Sequence, residues 1–292
     1  SLRPFTSFRV TKEGCHSEPF TFPVIAVSRS SEPKLRAEGM ASSEGETEQS
    51  HRAQDKLREE SLPVATLRDL IKSILHDTNI ARLRLSSLQP QEISPEFLAL
   101  WQDRRLCRHF HLALQSGSDT MLQRMRRRYS LNDYQRAVNL IREAIPQVAI
   151  TTDVMVGFPG ESDEEFEQSY RFCQQAGFAN IHVFPFSLRP GTEAAEMPDQ
   201  VNDKLKRERT QRMLELARNS RHSFCEQFVG QTMWVLWEKE TNLGKGIYSG
   251  LTDNYIRVFT QSQEPLTNKI VAVRLTGFHN QGMRGELVEN SG

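Results

Sequence analysis

The sequence predicts an α/β protein, with a partial (β/α) barrel followed by a small antiparallel β-barrel. Two observations lead to this prediction. Between residues 63 and 228, strand-like apolar runs alternate with helical patterns, and connections of a dozen or more residues require parallel strands. After Gly230, five short strand-like segments follow at close spacing, separated by turn sequences, as in a small barrel of about 60 residues.

The α/β part begins with a helix predicted at 64–76, whose apolar residues recur at helical spacing. An alternating strand follows at 81–88. Ser94 and Pro95 then start a helix that reaches Trp101, because serine caps helices and proline suits their first turn. The later elements are strands at 108–114, 148–156 and 180–186, and helices at 118–127, 131–144, 161–176 and 201–228.

The small barrel is predicted at 229–289, with basic and aromatic residues interleaved along it. The basic residues are Lys245, Arg257, Lys269, Arg274 and Arg284, and the aromatic residues between them are Tyr248, Tyr255 and Phe278. Small barrels with such faces often bind unpaired RNA, although packing of the aromatic rings in the core is an open alternative. The predicted strands are 231–237, 245–250, 255–260, 269–276 and 282–288.

Composition is that of a soluble globular protein. Of 292 residues, 37% are hydrophobic and 25% charged, and the formal net charge is zero, so overall charge gives no indication of a nucleic-acid partner. No apolar run approaches the ~20 residues that a bilayer crossing needs. The first residues lack the apolar region of a signal peptide. These observations predict a cytoplasmic protein without a membrane partner.

Residues 31–62 form a break in composition, rich in Ser, Glu, Gln and Gly and nearly free of large apolar side chains. Such a segment buries too little surface to offset its ordering entropy, so we expect a disordered insert or a poorly formed helix. Residues 1–62 are accordingly predicted to be partly disordered. The four cysteines are far apart and form no CxxC pair, which indicates reduced thiols: Cys15, Cys107, Cys173 and Cys225.

Two strand ends lead into polar, glycine-containing turns: HFHLALQSGSD at 109–119 and ITTDVMVGFPGE at 150–161. Available N–H groups and hydroxyls at such a strand-to-helix turn favour a ribose or an anion, and Asp119 could accept hydrogen bonds from ribose hydroxyls. The alternative is structural, with Ser118 as a helix cap and Asp119 complementing the helix dipole. Two glycines let the second turn approach a ligand closely.

Clusters of arginine suit phosphate binding, since guanidinium groups match phosphate oxygens. Such clusters occur at 104–108 and at 124–128, and a mixed run with Glu208 covers 204–212. A solvated helix face is the alternative for each. His109 and His111 alternate and so face the same side of a strand, where structural roles are favoured over metal binding because no third ligand is near in sequence.

Four segments in order resemble the radical S-adenosylmethionine (SAM) tRNA methylthiotransferases, and within them the branch acting on N6-threonylcarbamoyladenosine beside the anticodon. The resemblance covers roughly residues 62–288, and the tail resembles that family's RNA-binding TRAM domain. It implies a radical-SAM-type barrel at 63–228 and a TRAM-like barrel at 229–289. The segments are IARLRLSSLQPQEI, HFHLALQSGSDTMLQRMRRRYS, ITTDVMVGFPGESDEEFE and HVFPFSLRPGTEAAEMPDQV.

The resemblance implies two cofactors, S-adenosylmethionine and [4Fe–4S] clusters, one of which is held by a CxxxCxxC triad. Here residues 8–29 resemble the cluster loop, with Cys15 as the only candidate ligand; Phe20 and Pro23, or Pro19 and Phe22, stand where further cysteines belong. We therefore expect residues 1–62 to be a diverged remnant of the cluster-loop region.

The resemblance also implies site residues. Those for S-adenosylmethionine are Gln115, Ser116, Ser118, Asp119, Thr152, Asp153, Gly157 and Gly160. Arg189, Pro190, Gly191 and Thr192 would face the substrate nucleotide. RNA-binding residues would be Arg126, Arg127, Arg128, Lys245, Arg257 and Arg274.

The implied function is methylthio transfer to C2 of N6-threonylcarbamoyladenosine in the anticodon stem-loop of tRNA. One alternative is a family remnant that only binds tRNA. Another is a structural or regulatory subunit that pairs with a full-length homologue.

Overall fold

The computed structural model describes residues 24–28, 66–242 and 244–288. Cys15 and the polar 31–62 segment lie outside the described residues. Among those described, 66–79 belong to one compact unit, and the remainder belong to a second. The first unit contributes helix α1 (Leu67–Asp77), which begins with a capping box in which Thr66 and Asp69 exchange hydrogen bonds.

The second unit contains two parallel sheets that are joined by isolated bridges. Strand β1 (Val24–Ser28) pairs with β2 (Arg82–Ser86), and β3 (His109–His111), β4 (Ala149–Val156) and β5 (Asn180–Pro185) form the other sheet in that order. Two parallel bridges connect the chain at and just after β2 to the chain on either side of β3: Leu83 of β2 pairs with Leu106, and Leu88 pairs with Leu112. The result is the partial β/α array that the alternating pattern predicts.

Helices cover one face of these strands. On that face Phe110, Leu112 and Val154 are fully buried. The helices of the array are α2 (Pro95–Leu98), α3 (Asp119–Arg124), α4 (Leu131–Ala144), α5 (Asp163–Ala176), α6 (Glu193–Glu196) and α7 (Asp203–Glu226), with short 3-10 turns at Pro90–Glu92 and Ala99–Gln102.

The small barrel is closed and contains five strands, arranged in the order β10-β8-β7-β6-β9. Its pairs are antiparallel except β8 with β10, which run parallel. The expectation of a purely antiparallel barrel is therefore corrected to a mixed one. The strands are β6 (Thr232–Asn242), β7 (Ile247–Thr252), β8 (Arg257–Gln261), β9 (Ile270–His279) and β10 (Gly282–Leu287).

The last turns of α7 run into the core of the small barrel. Cys225 and Phe228 pack there with Val235, Trp237 and Val273, all of them buried. The His222 ring on the same helix stacks on Phe278 of β9, with centroids 3.8 Å apart. Helix α7 therefore belongs to both the β/α array and the small barrel.

The small barrel also contacts the amino-terminal ends of β2 and β3. Buried Arg82 donates to the carbonyl oxygens of Leu251 (2.8 Å) and Trp234 (2.7 Å). Arg108 makes a two-point ion pair with Asp253, with N–O distances of 2.6 and 3.1 Å. Four predicted cofactor residues, Gln115, Ser116, Ser118 and Asp119, follow the opposite, carboxyl end of β3. The other four lie in or after β4, with Thr152 and Asp153 inside the strand and Gly157 and Gly160 after it.

None of the helices in the described part of the chain combines the length and apolar character that a bilayer crossing requires.

Candidate functional site

The first glycine turn, Gln115–Asp119, follows β3 and is anchored on helix α5. The Ser169 hydroxyl accepts a hydrogen bond from the Gly117 N–H (2.9 Å) and lies 3.0 Å from the Ser116 hydroxyl. A Cβ on Gly117 would lie 2.6 Å from the Ser169 Cα, so only glycine allows this close approach between turn and helix. Close helix packing therefore explains why glycine stands at this position.

Contrary to the expectation from sequence, the backbone N–H groups of residues 115–118 in this turn are bonded within the protein and are not available to a ligand. Gln115 N–H donates to the Asp153 carbonyl (2.8 Å) and Ser118 N–H to the Ser116 hydroxyl (3.3 Å), while Ser116 N–H donates to Leu114. Gln115 has a left-handed backbone (φ 67°), an uncommon conformation for a residue with a side chain. These hydrogen bonds hold residues 115–118 in place, so their side chains rather than their N–H groups are left for binding.

Ser118 provides an unsatisfied group in this turn. Its hydroxyl is buried and has no hydrogen-bond partner among the described residues. Ser118 is the N-cap residue of helix α3 and Asp119 lies in its first turn, as the structural alternative expects, but the Ser118 hydroxyl makes no capping hydrogen bond. Asp119 is exposed, and one carboxylate oxygen accepts the Leu131 N–H at 2.8 Å. A buried hydroxyl without a partner at the carboxyl end of a strand is an observation that fits a polar ligand there.

The second glycine turn follows β4 and contains Gly157 and Gly160, whose φ angles of 75° and 76° favour glycine. The Gly157 N–H donates to the Glu161 carboxylate (2.9 Å), and the Gly160 N–H donates to the Asp199 carbonyl (2.8 Å). A Cβ on Gly157 would overlap the side chain of Lys206 on α7. A hydrogen bond inside the turn and the Lys206 side chain of α7 therefore both fix the position of Gly157.

A buried ion pair fixes the second turn to α7. Arg209 donates to the Glu161 carboxylate at 2.8 Å and to its carbonyl at 3.0 Å, and both side chains are almost fully buried. Arg209 also reaches Asp163 at 2.6 Å. Burial raises the pKa of Glu161 above its ordinary value, although the Gly157 N–H and Arg209 oppose that effect. The mixed charge run at 204–212 thus contains one arginine that is part of the interior.

The face of the sheet away from the helices is polar. The Thr151 hydroxyl lies 3.0 Å from His109 Nε2 and 3.0 Å from His111 Nδ1, and His111 Nε2 lies 3.2 Å from the Asp153 carboxylate. The His182 ring from β5 is 6.0 Å from that of His111. We call these five residues the polar cluster. It brings together residues from three neighbouring strands that alternate with the apolar, helix-covered residues.

Electrostatics differ between members of the polar cluster. Burial lowers the pKa of His109 to about 3, so this imidazole is neutral at physiological pH. Burial alone would raise the pKa of Asp153, but the hydrogen bond and charge of His111, with contributions from His182 and Arg127, outweigh it and bring that pKa below its usual value. The lowered pKa favours the ionised carboxylate of Asp153, which lies beside His111.

Tyr255 of the small barrel extends the polar cluster. Its ring stacks on His109 with centroids 4.3 Å apart, and the Arg84 guanidinium lies 4.5 Å from its centroid. Arg84 and His182 were not among the candidate residues predicted from sequence. The period-two alternation of Arg82 with Arg84, and of Asn180 with His182, is the signal that could have placed them on one face.

Thr152 lies on the opposite, helix-covered face. Its hydroxyl donates to the Leu112 carbonyl (2.7 Å) and accepts from the Leu114 N–H (3.0 Å) and from the Tyr134 hydroxyl (3.2 Å). The structure thus does not bring Thr152 together with Asp153, its neighbour in sequence.

The segment 189–192, which follows β5, is exposed, and the Thr192 hydroxyl donates to the Arg189 carbonyl at 2.8 Å. A cleft of about 860 Å³ lies near this segment, between the end of β5 and α7. Phe186, Lys206 and Arg207 are among the residues that line it, and none of the predicted cofactor residues does.

The predicted RNA-binding arginines form two groups. Arg126 and Arg128 are exposed after α3, with Arg126 paired to Glu193 at 2.6 Å, whereas Arg127 is half-buried. In the small barrel, Lys245 and Arg274 are exposed, and Arg257 pairs with Glu238. Among the described residues, Arg274 makes no ion pair, so its charge is free for a partner.

The described residues do not fit an iron–sulfur cluster. No group of three His, Cys, Asp or Glu side chains in the described ranges is arranged to hold a metal ion. Burial raises the pKa of Cys107 to about 11, that of Cys173 to about 12 and that of Cys225 to about 11, so these thiols resist forming the thiolates that iron requires. Cys15 remains the one cysteine outside this description.

Comparison with known proteins gives the class of this chain. Residues 53–173 match the family model described as Radical SAM superfamily. The two glycine turns at the carboxyl ends of β3 and β4 both fall in or next to this matched region. The part of the β/α array that ends at residue 173 is thus similar to the radical SAM superfamily.

Two curated relatives narrow the class. Threonylcarbamoyladenosine tRNA methylthiotransferase MtaB of Bacillus subtilis is 36% identical over 218 residues, which are 72% of this chain and 48% of the relative. The tRNA-2-methylthio-N(6)-dimethylallyladenosine synthase of Pelotomaculum thermopropionicum is 35% identical over 222 residues, which are 76% and 50% of the two chains. These relatives and the radical SAM match together support a methylthiotransferase family member.

The chain spans about half the length of the curated relatives it matches. Among solved structures, coproporphyrinogen III oxidase HemN of Escherichia coli, a radical SAM enzyme, aligns with a TM-score of 0.44 and 16% identity over 52% of this chain and 36% of that chain. Because this TM-score is low, the assignment to a family depends on the sequence comparisons and not on this structure.

Proposed function

We propose that this chain acts in the cytoplasm in tRNA modification by methylthiolation, with N6-threonylcarbamoyladenosine in the anticodon stem-loop as its substrate. The relatives named for methylthio modification of tRNA support the reaction class. The MtaB relatives are 36–37% identical and the dimethylallyladenosine synthases 30–35%, a small difference in favour of the threonylcarbamoyl substrate.

The polar cluster is the observation that carries the choice of substrate. A threonylcarbamoyl group bears a carboxylate, a hydroxyl and a urea-like amide, whereas a dimethylallyl group is a hydrocarbon. Arg84, His111 and His182 line the inner face of the sheet, and Asp153 lies among them. Cationic and hydrogen-bonding side chains suit the first group, and would be left unpaired by the second.

S-adenosylmethionine would be held at the carboxyl ends of β3 and β4, where Gln115, Ser118 and Asp153 offer polar side chains. The buried Ser118 hydroxyl without a protein partner fits a ligand with ribose and amino-acid groups. When bound, S-adenosylmethionine supplies the methyl group and the precursor of an adenosyl radical. The chain's own residues position this ligand through two rigid turns.

The described residues do not supply the set of ligands that an iron–sulfur cluster needs. A cluster would need ligands beyond Cys107, Cys173 and Cys225. A full-length homologue is one source of them. Iron and sulfide content after anaerobic reconstitution measures whether the chain alone holds a cluster. About four irons per chain would show a complete cluster. Absence of iron would mean that the chain depends on a partner or only binds tRNA.

The test of the substrate uses synthetic anticodon stem-loops that carry N6-threonylcarbamoyladenosine, N6-dimethylallyladenosine or unmodified adenosine next to the anticodon. We expect the tightest binding, by fluorescence anisotropy, for the threonylcarbamoyl form. Arg84→Gln should remove this preference, while Arg136→Gln on the exposed surface of α4 should leave it unchanged. Equal affinity for all three RNAs would contradict the proposed substrate, and absence of RNA binding would contradict the proposed function altogether.

A further inference from the structure

Trp234 is the most exposed of the large hydrophobic side chains in the described residues, with 60% of its surface accessible. On β6 its neighbours Met233 and Val235 point into the barrel core, so the indole stands on the outer face. Burying an indole yields a large hydrophobic gain that this conformation leaves unused. An aromatic ring displayed in this way is therefore a candidate binding group.

The backbone beneath Trp234 is held firmly. Its strand lies between β7 and β9 in the closed barrel, and its carbonyl accepts a hydrogen bond from the buried Arg82 at 2.7 Å. Because the main chain is fixed on both sides, the ring is presented with little loss of freedom on binding.

The surroundings of the ring are open and cationic. Ala272 pairs directly with Trp234 across β9, and its small side chain leaves the indole face uncovered. Arg274 pairs with Thr232, so it is the diagonal neighbour of Trp234, at about 7–8 Å between Cα atoms. Arg274 is exposed and, within the described ranges, forms no ion pair, although Glu286 stands opposite it on β10.

We propose that Trp234 is a stacking platform for one unpaired RNA base, with Arg274 binding the phosphate beside it. The indole ring can stack on a base, and the neighbouring Arg274 guanidinium can bind the phosphate of the same nucleotide. The inference deepens the proposed function, on which it rests, by naming where RNA contacts the small barrel. Base stacking accepts any base, so this site adds affinity rather than sequence choice.

The test compares Trp234→Ala and Trp234→Phe in binding an anticodon stem-loop at several salt concentrations. We expect Trp234→Ala to weaken binding about tenfold and Trp234→Phe to keep most of the affinity, because phenylalanine still stacks. Neither variant should change the salt dependence, whereas Arg274→Gln should lower the salt slope by about one. Val229→Ala, which truncates another exposed apolar side chain, should bind as wild type.

Fluorescence gives a readout that depends on contact. Trp237 is buried and Trp101 half-buried, so Trp234 dominates the solvent-exposed emission. RNA should quench that emission in the wild type and not in Trp234→Phe. Unchanged affinity of Trp234→Ala, or unchanged emission of wild-type protein with RNA bound, would overturn the platform and leave the proposed function standing. Failure of the wild type to bind RNA would overturn both.

Discussion

The two glycine turns look alike in sequence but differ in what holds them. Each ends a buried parallel strand, contains small residues and enters a helix. The Gln115–Asp119 turn is held by a neutral hydroxyl, that of Ser169, and by tight packing on α5. The Gly157–Glu161 turn is held by the buried Arg209–Glu161 ion pair and by Lys206, both reaching it from α7.

The first turn is stabilised by close packing, and the second is stabilised by a buried ion pair. The first turn depends on the absence of a side chain at one position, and the second depends on a charge supplied from a helix almost fifty residues away. Similar local sequences can therefore be stabilised by unrelated long-range interactions.

Arg209→Ala should be the most damaging change at either turn. It leaves the Glu161 carboxylate buried without its partner, so we expect a loss of about 3–5 kcal/mol in the free energy of unfolding, measured by urea denaturation. Arg212→Ala removes an exposed pair with Glu167 and should change stability by about 0–1 kcal/mol. A similar loss in both variants would show that the buried pair does not hold the second turn.

Gly117→Ala should destabilise through crowding, because its Cβ would approach the backbone of Ser169. We expect a loss of about 1–3 kcal/mol, again by urea denaturation. The control is Gly277→Ala in β9, where a Cβ has no neighbour within 4 Å and stability should stay within about 0.5 kcal/mol. Wild-type stability in Gly117→Ala would mean that the turn can move away from α5.

The second turn should respond to pH and the first should not. Because the pKa of Glu161 is raised on folding, the unfolded chain releases this proton first, and the stability of the wild type relative to Glu161→Gln should fall as pH rises above 4.5. Ser169→Ala, which alters the first turn, should shift stability by the same amount at every pH. A constant difference between wild type and Glu161→Gln would contradict the raised pKa.

Ser118→Ala should have the smallest effect on stability, because the hydroxyl has no described partner to lose. We expect a change within about 0.5 kcal/mol in thermal denaturation. Calorimetric titration with S-adenosylmethionine should nevertheless show weaker binding. Ser116→Ala loses contacts with Ser169 and with the Ser118 N–H, so it should cost about 1 kcal/mol. Unchanged ligand affinity in Ser118→Ala would remove Ser118 from the site.

Local patterns were sufficient for most of the fold. The helix at Leu131–Ala144 has the predicted bounds, because Ser130 and Asp133 form a capping box that starts it. The strand predicted at 108–114 is shorter, since regular pairing ends at His111 and the left-handed Gln115 resumes contact with β4 by a single bridge. Alternation cannot reveal such a register change.

Long-range partners explain what the sequence did not predict. The parallel pairing of β8 with β10 depends on how the small barrel closes, which no local pattern encodes. Arg209 lies in a run of mixed charges that predicts a solvated face, yet it is buried because Glu161 lies beside it. Strand pairing decides which face of the sheet each residue occupies. Thr152 lies on the helix-covered face and Asp153 on the other, so only Asp153 joins the polar cluster.

Helix α7 fixes both the distance and the relative rotation between the residues at its two ends, because it is one continuous helix. Arg209 near its start and Cys225 near its end engage two different structures, and sixteen residues separate them, about 24 Å along the axis. Inserting one residue between these positions would advance one end by ~1.5 Å and rotate it by ~100° relative to the other. The number of residues between Arg209 and Cys225 is therefore constrained by the contacts at both ends. We expect insertions to be tolerated only outside this segment.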